Sequence, residues 1–278
     1  MEKGYLYIAS GEKYIKEAKR SVQSLRRVDD NAHATIVTDD QSTYFGEGRC
    51  FDKRIIVSED NLYIPKKGFD LKVKSMYQQS PYDKTIFIDS DTYFIKNCSY
   101  LFDLLKYHDV CISRANNDDE YIRYKGSEIK GYGQYNTGVI VFRKNERNKK
   151  LFSDWVSRWR MRRTVHSHDQ MAFMEALLSN NVKTYILKNN WNARTVHKTR
   201  FIGQVKIIHG RHKNIDKVVH NINISDRPRV WIPEAEICMY NGMRYKDVLK
   251  LMRPFVKSYL DTSSLRFLKI FGDQNLIV

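Results

Sequence analysis

Short runs of strongly apolar residues alternate with longer stretches of helical period along most of the chain. Residues 5–9, 34–38, 54–57, 85–88, 109–113, 138–142, 183–187 and 205–208 are rich in Ile, Val, Tyr and Phe. Runs this short and continuous read as strands covered on both faces. Between the first two, Ile15, Ala18, Val22 and Leu25 recur at helical spacing, with Lys and Arg on the opposite side. Phe69, Val73, Met76 and Tyr77 mark a second helix, and Phe152, Trp155, Val156 and Trp159 a third. Strands alternating with helices predict an α/β fold: a Rossmann-like, mixed and mainly parallel sheet flanked by helices. In open sheets of this kind ligands sit beyond the carboxyl ends of the strands. The residues that follow each strand therefore carry the most information.

Near residue 225 the texture changes. Pro228 and Pro233 interrupt the pattern, and Val248, Leu251, Met252, Phe255 and Tyr259 then predict an amphipathic helix. The expected division is a main domain over 1–225 and a basic helical extension over 226–278, packed on the same domain. From residue 241 onward seven Lys and Arg face three Asp. A basic amphipathic element of that kind could instead contact a membrane surface peripherally.

Composition narrows the class. The chain has 278 residues, and 48 Lys+Arg against 32 Asp+Glu give a formal charge of +16. Hydrophobic residues at 42%, with 5 Pro and 13 Gly, exclude a disordered or fibrous chain. No apolar run approaches the roughly 20 residues of a spanning helix. The four cysteines form no C-x-x-C pair, which argues against a zinc cluster or a disulfide framework. The expected setting is cytoplasmic, at the membrane surface if the basic C-terminal region meets lipid. The charge surplus suits nucleic acid, an anionic membrane or a phosphorylated small molecule.

The most informative segment is Thr85-Ile86-Phe87-Ile88-Asp89-Ser90-Asp91, where an apolar strand runs straight into two carboxylates. Residues two apart on a strand share a side, so Asp89 and Asp91 can converge. Their mutual repulsion is resolved by a hard divalent cation, which keeps coordination positions open for phosphate oxygens. A second strand, 205–208, leads directly into His209-Gly210-Arg211-His212-Lys213. Neutral imidazole beside carboxylates suits an ion such as Mn²⁺. Gly210 would allow close backbone approach to a ligand, and Lys213 could meet a diphosphate. His33, His108, His166, His197 and His220 read as structural.

The strand-borne Asp89-x-Asp91 with the later His209-Gly210-x-x-Lys213 resembles glycosyltransferase family 8, the glycogenin-like and galactosyltransferase-like enzymes of GT-A fold. The likeness extends over roughly residues 4–215 and implies a nucleotide-sugar transferase domain over 1–225. It implies a UDP-sugar donor, Mn²⁺ or Mg²⁺ held by Asp89, Asp91 and His209, and retention of anomeric configuration. Ala9 and Ser10, with Tyr14 stacked on uracil, and Thr38-Asp39 are similar to the family's nucleoside-contacting elements. Lys72 or Lys74 stands where the family has a donor-binding Lys, and Ser90 lies within the acidic motif. Tyr135-Asn136-Thr137-Gly138-Val139 and His168-Asp169-Gln170 resemble segments that border the donor sugar. Asn136, Asp169 and Gln170 would then align the anomeric carbon with an acceptor hydroxyl on a glycan, a lipid-linked saccharide or a protein. Asp169 could alternatively cap a helix starting near Gln170.

The family usually continues Lys-Pro-Trp, whereas Lys213 is followed by Asn214-Ile215. The expected function is metal-dependent transfer of a hexose from a UDP-sugar, in glycan or surface polysaccharide synthesis, with no nucleic acid partner. The rival reading is a basic nucleic-acid-binding module without catalysis. It lacks a recognisable motif, and its basic residues are dispersed.

Overall fold

In β1 (Lys3–Ile8) the side chains alternate between two cores, Tyr5 and Tyr7 on one face and Leu6 and Ile8 on the other. A strand buried on both sides needs helices above and below it, and the chain supplies them. A computed structural model describes residues 1–39, 50–58, 60, 62–115, 121–124, 127–130, 133–164, 168–240 and 242–243. After β1 come α1 (Glu12–Val28), β2 (Ala34–Thr38), β3 (Lys53–Ile56), α2 (Lys67–Ser75) and β4 (Lys84–Ile88). Next are β5 (Thr92–Phe94), α3 (Leu101–Leu104), β6 (Val110–Arg114), and the hairpin β7 (Tyr121–Tyr124) and β8 (Ser127–Lys130). The middle of the chain holds β9 (Tyr135–Arg143), α4 (Glu146–Arg162), α5 (Gln170–Ser179) and β10 (Thr184–Leu187). The described chain closes with β11 (Ala193–Arg194), β12 (Thr199–Phe201), β13 (Ile207–His209), α6 (Ile215–Ile222), β14 (Arg229–Ile232) and β15 (Ile237–Tyr240).

The main sheet has the order β10-β6-β9-β4-β1-β2-β3. Every strand runs the same way except β9, which is antiparallel to both β4 and β6. Thus the mixed, mainly parallel sheet is as expected, and each of the eight apolar runs falls on a strand. One face packs against α1 through Ile15, Ala18, Val22 and Leu25. The other packs against α2, α4 and α5 through Leu71, Met76, Leu151, Trp155, Trp159 and Phe173. Each large apolar side chain removed from water this way contributes about 1.5–3 kcal/mol.

A third cluster joins Ala193, Phe201, Val205, Ile208, Val218, Ile222, Trp231 and Cys238. Here β14 pairs with β12 and β15, so residues 229–240 add strands beside the chain that precedes 225. The helix expected around Val248–Tyr259 lies outside the described residues. Among those described, no helix is long and apolar enough to cross a membrane. Far from the strand ends that form the cleft, buried Asp109 accepts hydrogen bonds from Arg143, Arg147, Asn145 and the Lys183 amide. Burial opposes its charge, but these bonds outweigh it and hold the carboxyl well below the usual carboxylate range.

Candidate active site

The apolar run of β4 ends at Ile88, and its next three residues turn directly into β5. There β5 pairs antiparallel with β13, in a register that sets Thr92 opposite His209. That ladder carries the imidazole to the acidic pair. His209 Nε2 lies 3.3 Å from Asp91 Oδ1 and 3.8 Å from Asp89 Oδ2. One ligand atom from each of the three side chains fits within 4.8 Å of the others. Two carboxylates and an imidazole so disposed suit a divalent cation such as Mn²⁺ or Mg²⁺. Burial by itself would raise the Asp91 carboxyl. The hydrogen bond and charge of His209, then Arg211, outweigh it and hold Asp91 well below the usual range.

A chain of amides fixes the imidazole. The Gly138 backbone N–H donates to Asn136 Oδ1 at 3.0 Å, which orients that carboxamide. Asn136 Oδ1 also accepts from Asn192 Nδ2 at 2.8 Å, so Asn192 turns its oxygen to His209 Nδ1 at 2.7 Å. An amide oxygen can only accept, hence Nδ1 carries a proton and Nε2 is left to face the carboxylates. Asn136 Nδ2 donates onward to Gln170 Oε1 at 2.9 Å. Gly138 sits beneath the ring rather than in the cleft wall: a Cβ there would lie 2.1 Å from His209 Cε1. Asn192, in the short Asn189-Asn190-Trp191-Asn192 turn, is a residue that sequence reasoning missed.

On the other side of β9, Lys72 Nζ lies 3.2 Å from Asp89 and 3.3 Å from Asp169, and donates to Thr137 Oγ1 at 3.2 Å. Burial would lower the Lys72 pKa; the charges of Asp169 and Asp89 outweigh this and raise it above its ordinary value. Of the two lysines the spacing left open, Lys72 meets the site, and Lys74 pairs with Asp70 within its own helix. Asp169 precedes α5, yet its side chain caps nothing; it accepts from Thr137 at 3.1 Å.

These groups line one cleft of about 890 Å³ together with Ala9, Ser10, Tyr14, Ser90 and Gln170. Tyr14 is 43% exposed, so its ring is available for stacking. Asp39 lies buried behind Ser10, accepting from Ser10 Oγ at 2.8 Å and pairing with Lys67 at 2.7 Å. Among the described residues its buried Oδ1 has no partner. Thr38 is fully buried at the end of β2. Lys213 is exposed and lies off the cleft wall. At Gly210 the chain takes φ +143°, a value that favours glycine, and Asn214 caps α6 directly afterwards. Arg211 is the residue from this segment that faces the cleft, bonded to Glu17 at 2.7 Å and paired with Asp91 at 3.2 Å. His168 and His197 line it too, although His197 reads as structural in the sequence.

Comparison with known proteins places this geometry. A family model described as nucleotide-diphospho-sugar transferase matches residues 84–227, more than half of the chain. No curated protein matches the chain in sequence. Among solved structures, galactosyltransferase LgtC, in complex with donor and acceptor sugar analogs, is similar at TM-score 0.55 and 13% identity. That likeness covers 76% of this chain and 87% of LgtC. Mouse xyloside xylosyltransferase 1 is similar at TM-score 0.51 and 16% identity, covering 76% of this chain and 98% of that one. The bifunctional glycosyltransferase WbbM matches at TM-score 0.52 and 15% identity over 77% of this chain. This chain spans only 46% of WbbM. At such identities the likeness is one of fold. Family model and fold agree: the chain belongs to the nucleotide-diphospho-sugar transferase family, as a glycosyltransferase of GT-A fold.

Proposed function

We propose that the protein moves a hexose from a UDP-sugar to an acceptor hydroxyl, with retention of anomeric configuration, in glycan or surface polysaccharide synthesis. The observation that carries this is the convergence of Asp89, Asp91 and His209 in a cleft also lined by Tyr14. In this reading Asp89, Asp91 and His209 hold Mn²⁺ or Mg²⁺. When bound, such an ion supplies Lewis-acid stabilisation of the departing diphosphate, worth several kcal/mol. Family membership favours this over the nucleic-acid-binding alternative.

The chain's own residues do the rest. Tyr14 stacks on the base, and the unpartnered Asp39 Oδ1 accepts a hydrogen bond from its edge. Ala9 and Ser10 shape the nucleoside end, with Thr38 acting from its buried place at the end of β2, and Arg211 adds charge beside the diphosphate in the role expected of Lys213. Lys72 stays protonated between Asp89 and Asp169, so the three groups keep one geometry as the donor enters. Asn136, Asp169 and Gln170 order the sugar against an acceptor hydroxyl of a glycan, lipid-linked saccharide or protein. The catalytic unit in this reading is 1–225, with the strands of 229–240 added to it.

The test is thermal stabilisation by UDP with Mn²⁺, expected in the wild type, abolished by a chelator and lost in Asp91→Asn. Full turnover of sugar nucleotide by Asp91→Asn would overturn the reading.

A further inference from the structure

Arg194, like Lys66 and Lys67, is a cation on the cleft wall that the reaction above does not use. It lies on β11, in register with His209 on the neighbouring β13. Ala193 before it turns into the third core cluster, so alternation sends Asn192 and Arg194 to the opposite side. Asn192 there reaches His209, and Arg194 lines the cleft. Among the described residues its buried Nε has no hydrogen-bond partner, and no carboxylate pairs with it. A guanidinium whose Nε–H is left unsatisfied in a substrate cleft is set for an anion that arrives with the substrate.

Two strand orders place that anion. The small sheet runs β5-β13-β11, and β5 packs against α1, the helix that carries Tyr14. The main sheet runs β1-β4-β9-β6, with Ser10 just beyond β1 and Ala115 just beyond β6, both on the cleft wall. In the small sheet His209 on β13 lies between β5 and β11, and in the main sheet the acidic pair, just beyond β4, lies between the ends of β1 and β6. A nucleotide held at Tyr14 therefore leaves Arg194 beside the saccharide.

We propose that Arg194 binds a carboxylate or phosphate group carried by the saccharide substrate, so that the enzyme selects an anionic sugar. This rests on the UDP-sugar reading. A planar guanidinium takes either anion through paired hydrogen bonds, which a neutral hydroxyl cannot match.

The experiment uses the full chain with Mn²⁺ and has two arms, read by calorimetry. In the donor arm, UDP-glucuronate is compared with UDP-glucose. In the acceptor arm, glucuronate and glucose 6-phosphate are compared with glucose, with and without UDP. One arm should show a preference of about tenfold or more for the anionic sugar, and that arm identifies which substrate bears the charge. Arg194→Gln should erase the preference and Arg194→Lys retain part of it, both with unchanged affinity for UDP. Equal affinities in both arms would overturn the inference, as would an Arg194→Gln variant that loses UDP itself. If UDP with Mn²⁺ fails to bind the wild type, the donor reading falls, and the nucleotide-free acceptor arm still decides the role of Arg194.

Discussion

The imidazole of His209 is held at Nδ1 by the side-chain oxygen of Asn192, 2.7 Å away. Its orientation traces back, amide by amide, to a backbone N–H at Gly138. Partners of this kind typically change metal affinity about 10–100-fold when removed. Asn192→Ala should therefore weaken Mn²⁺ by about that factor in a calorimetric titration with UDP present. Unchanged Mn²⁺ affinity would show that the ring needs no such support.

Gly138→Ala puts a methyl group where the His209 ring now lies. Because β9 is hydrogen-bonded to β4 on one side, the ring rather than the strand is expected to move. The Mn²⁺-dependent part of the thermal shift with UDP should vanish while far-UV circular dichroism stays native. Retention of that shift would mean that the site accommodates the extra carbon.

Lys72→Met and Lys74→Met separate two neighbours on one helix. The first removes the ammonium that lies between Asp89 and Asp169, and transfer should fall by about 10²–10³. The second removes one of several partners of buried Asp70, which keeps Arg163, the Trp159 indole and the Tyr63 amide. It should lower stability by about 1 kcal/mol and leave turnover alone. Steady-state assays and urea unfolding on both variants check this, and equal effects on turnover would contradict it.

Asp109 should make the fold sensitive to acid. Its folded-state pKa lies below that of the unfolded chain, where an Asp titrates near about 3.9. The stabilisation is then complete above about pH 4 and drains away as pH falls through the lower folded value. Asp109→Asn should cost roughly 2–4 kcal/mol at pH 7, and its gap from the wild type should narrow in urea melts at pH 3. A gap independent of pH would mean that shape, not charge, is what Asp109 provides.

The main sheet was legible because its inner strands are buried on both faces, leaving continuous apolar runs such as 85–88, whereas the edge strands β3 and β10 are largely exposed rather than covered on both faces. Asp89 and Asp91 were legible because they break such a run, and His209 because it ends another. The reversal of β9 was not, since hydrophobicity carries no strand direction. Nor were β11, β12, β14 and β15, which are two to four residues long and offer too few positions for a period. Asn192 was hidden in a turn whose asparagines look like ordinary loop residues. Lys213 was chosen by counting from His209; the bend at Gly210 and the helix starting at Ile215 give the inward place to Arg211.

The reversed strand also divides its labour by odd and even positions. Asn136 and Gly138 serve His209, while Thr137 between them serves Lys72 and Asp169. Its ladder with β6 slips here, Ile112 facing Ile140 while Ser113 faces Asn136. The residues passed over are Thr137, Gly138 and Val139, so the slip falls on two of the three that serve the polar groups. The connection that enters β9 is free to lengthen or shorten only if it delivers Tyr135 in the same phase. An insertion one step later would exchange the two faces and silence both groups together.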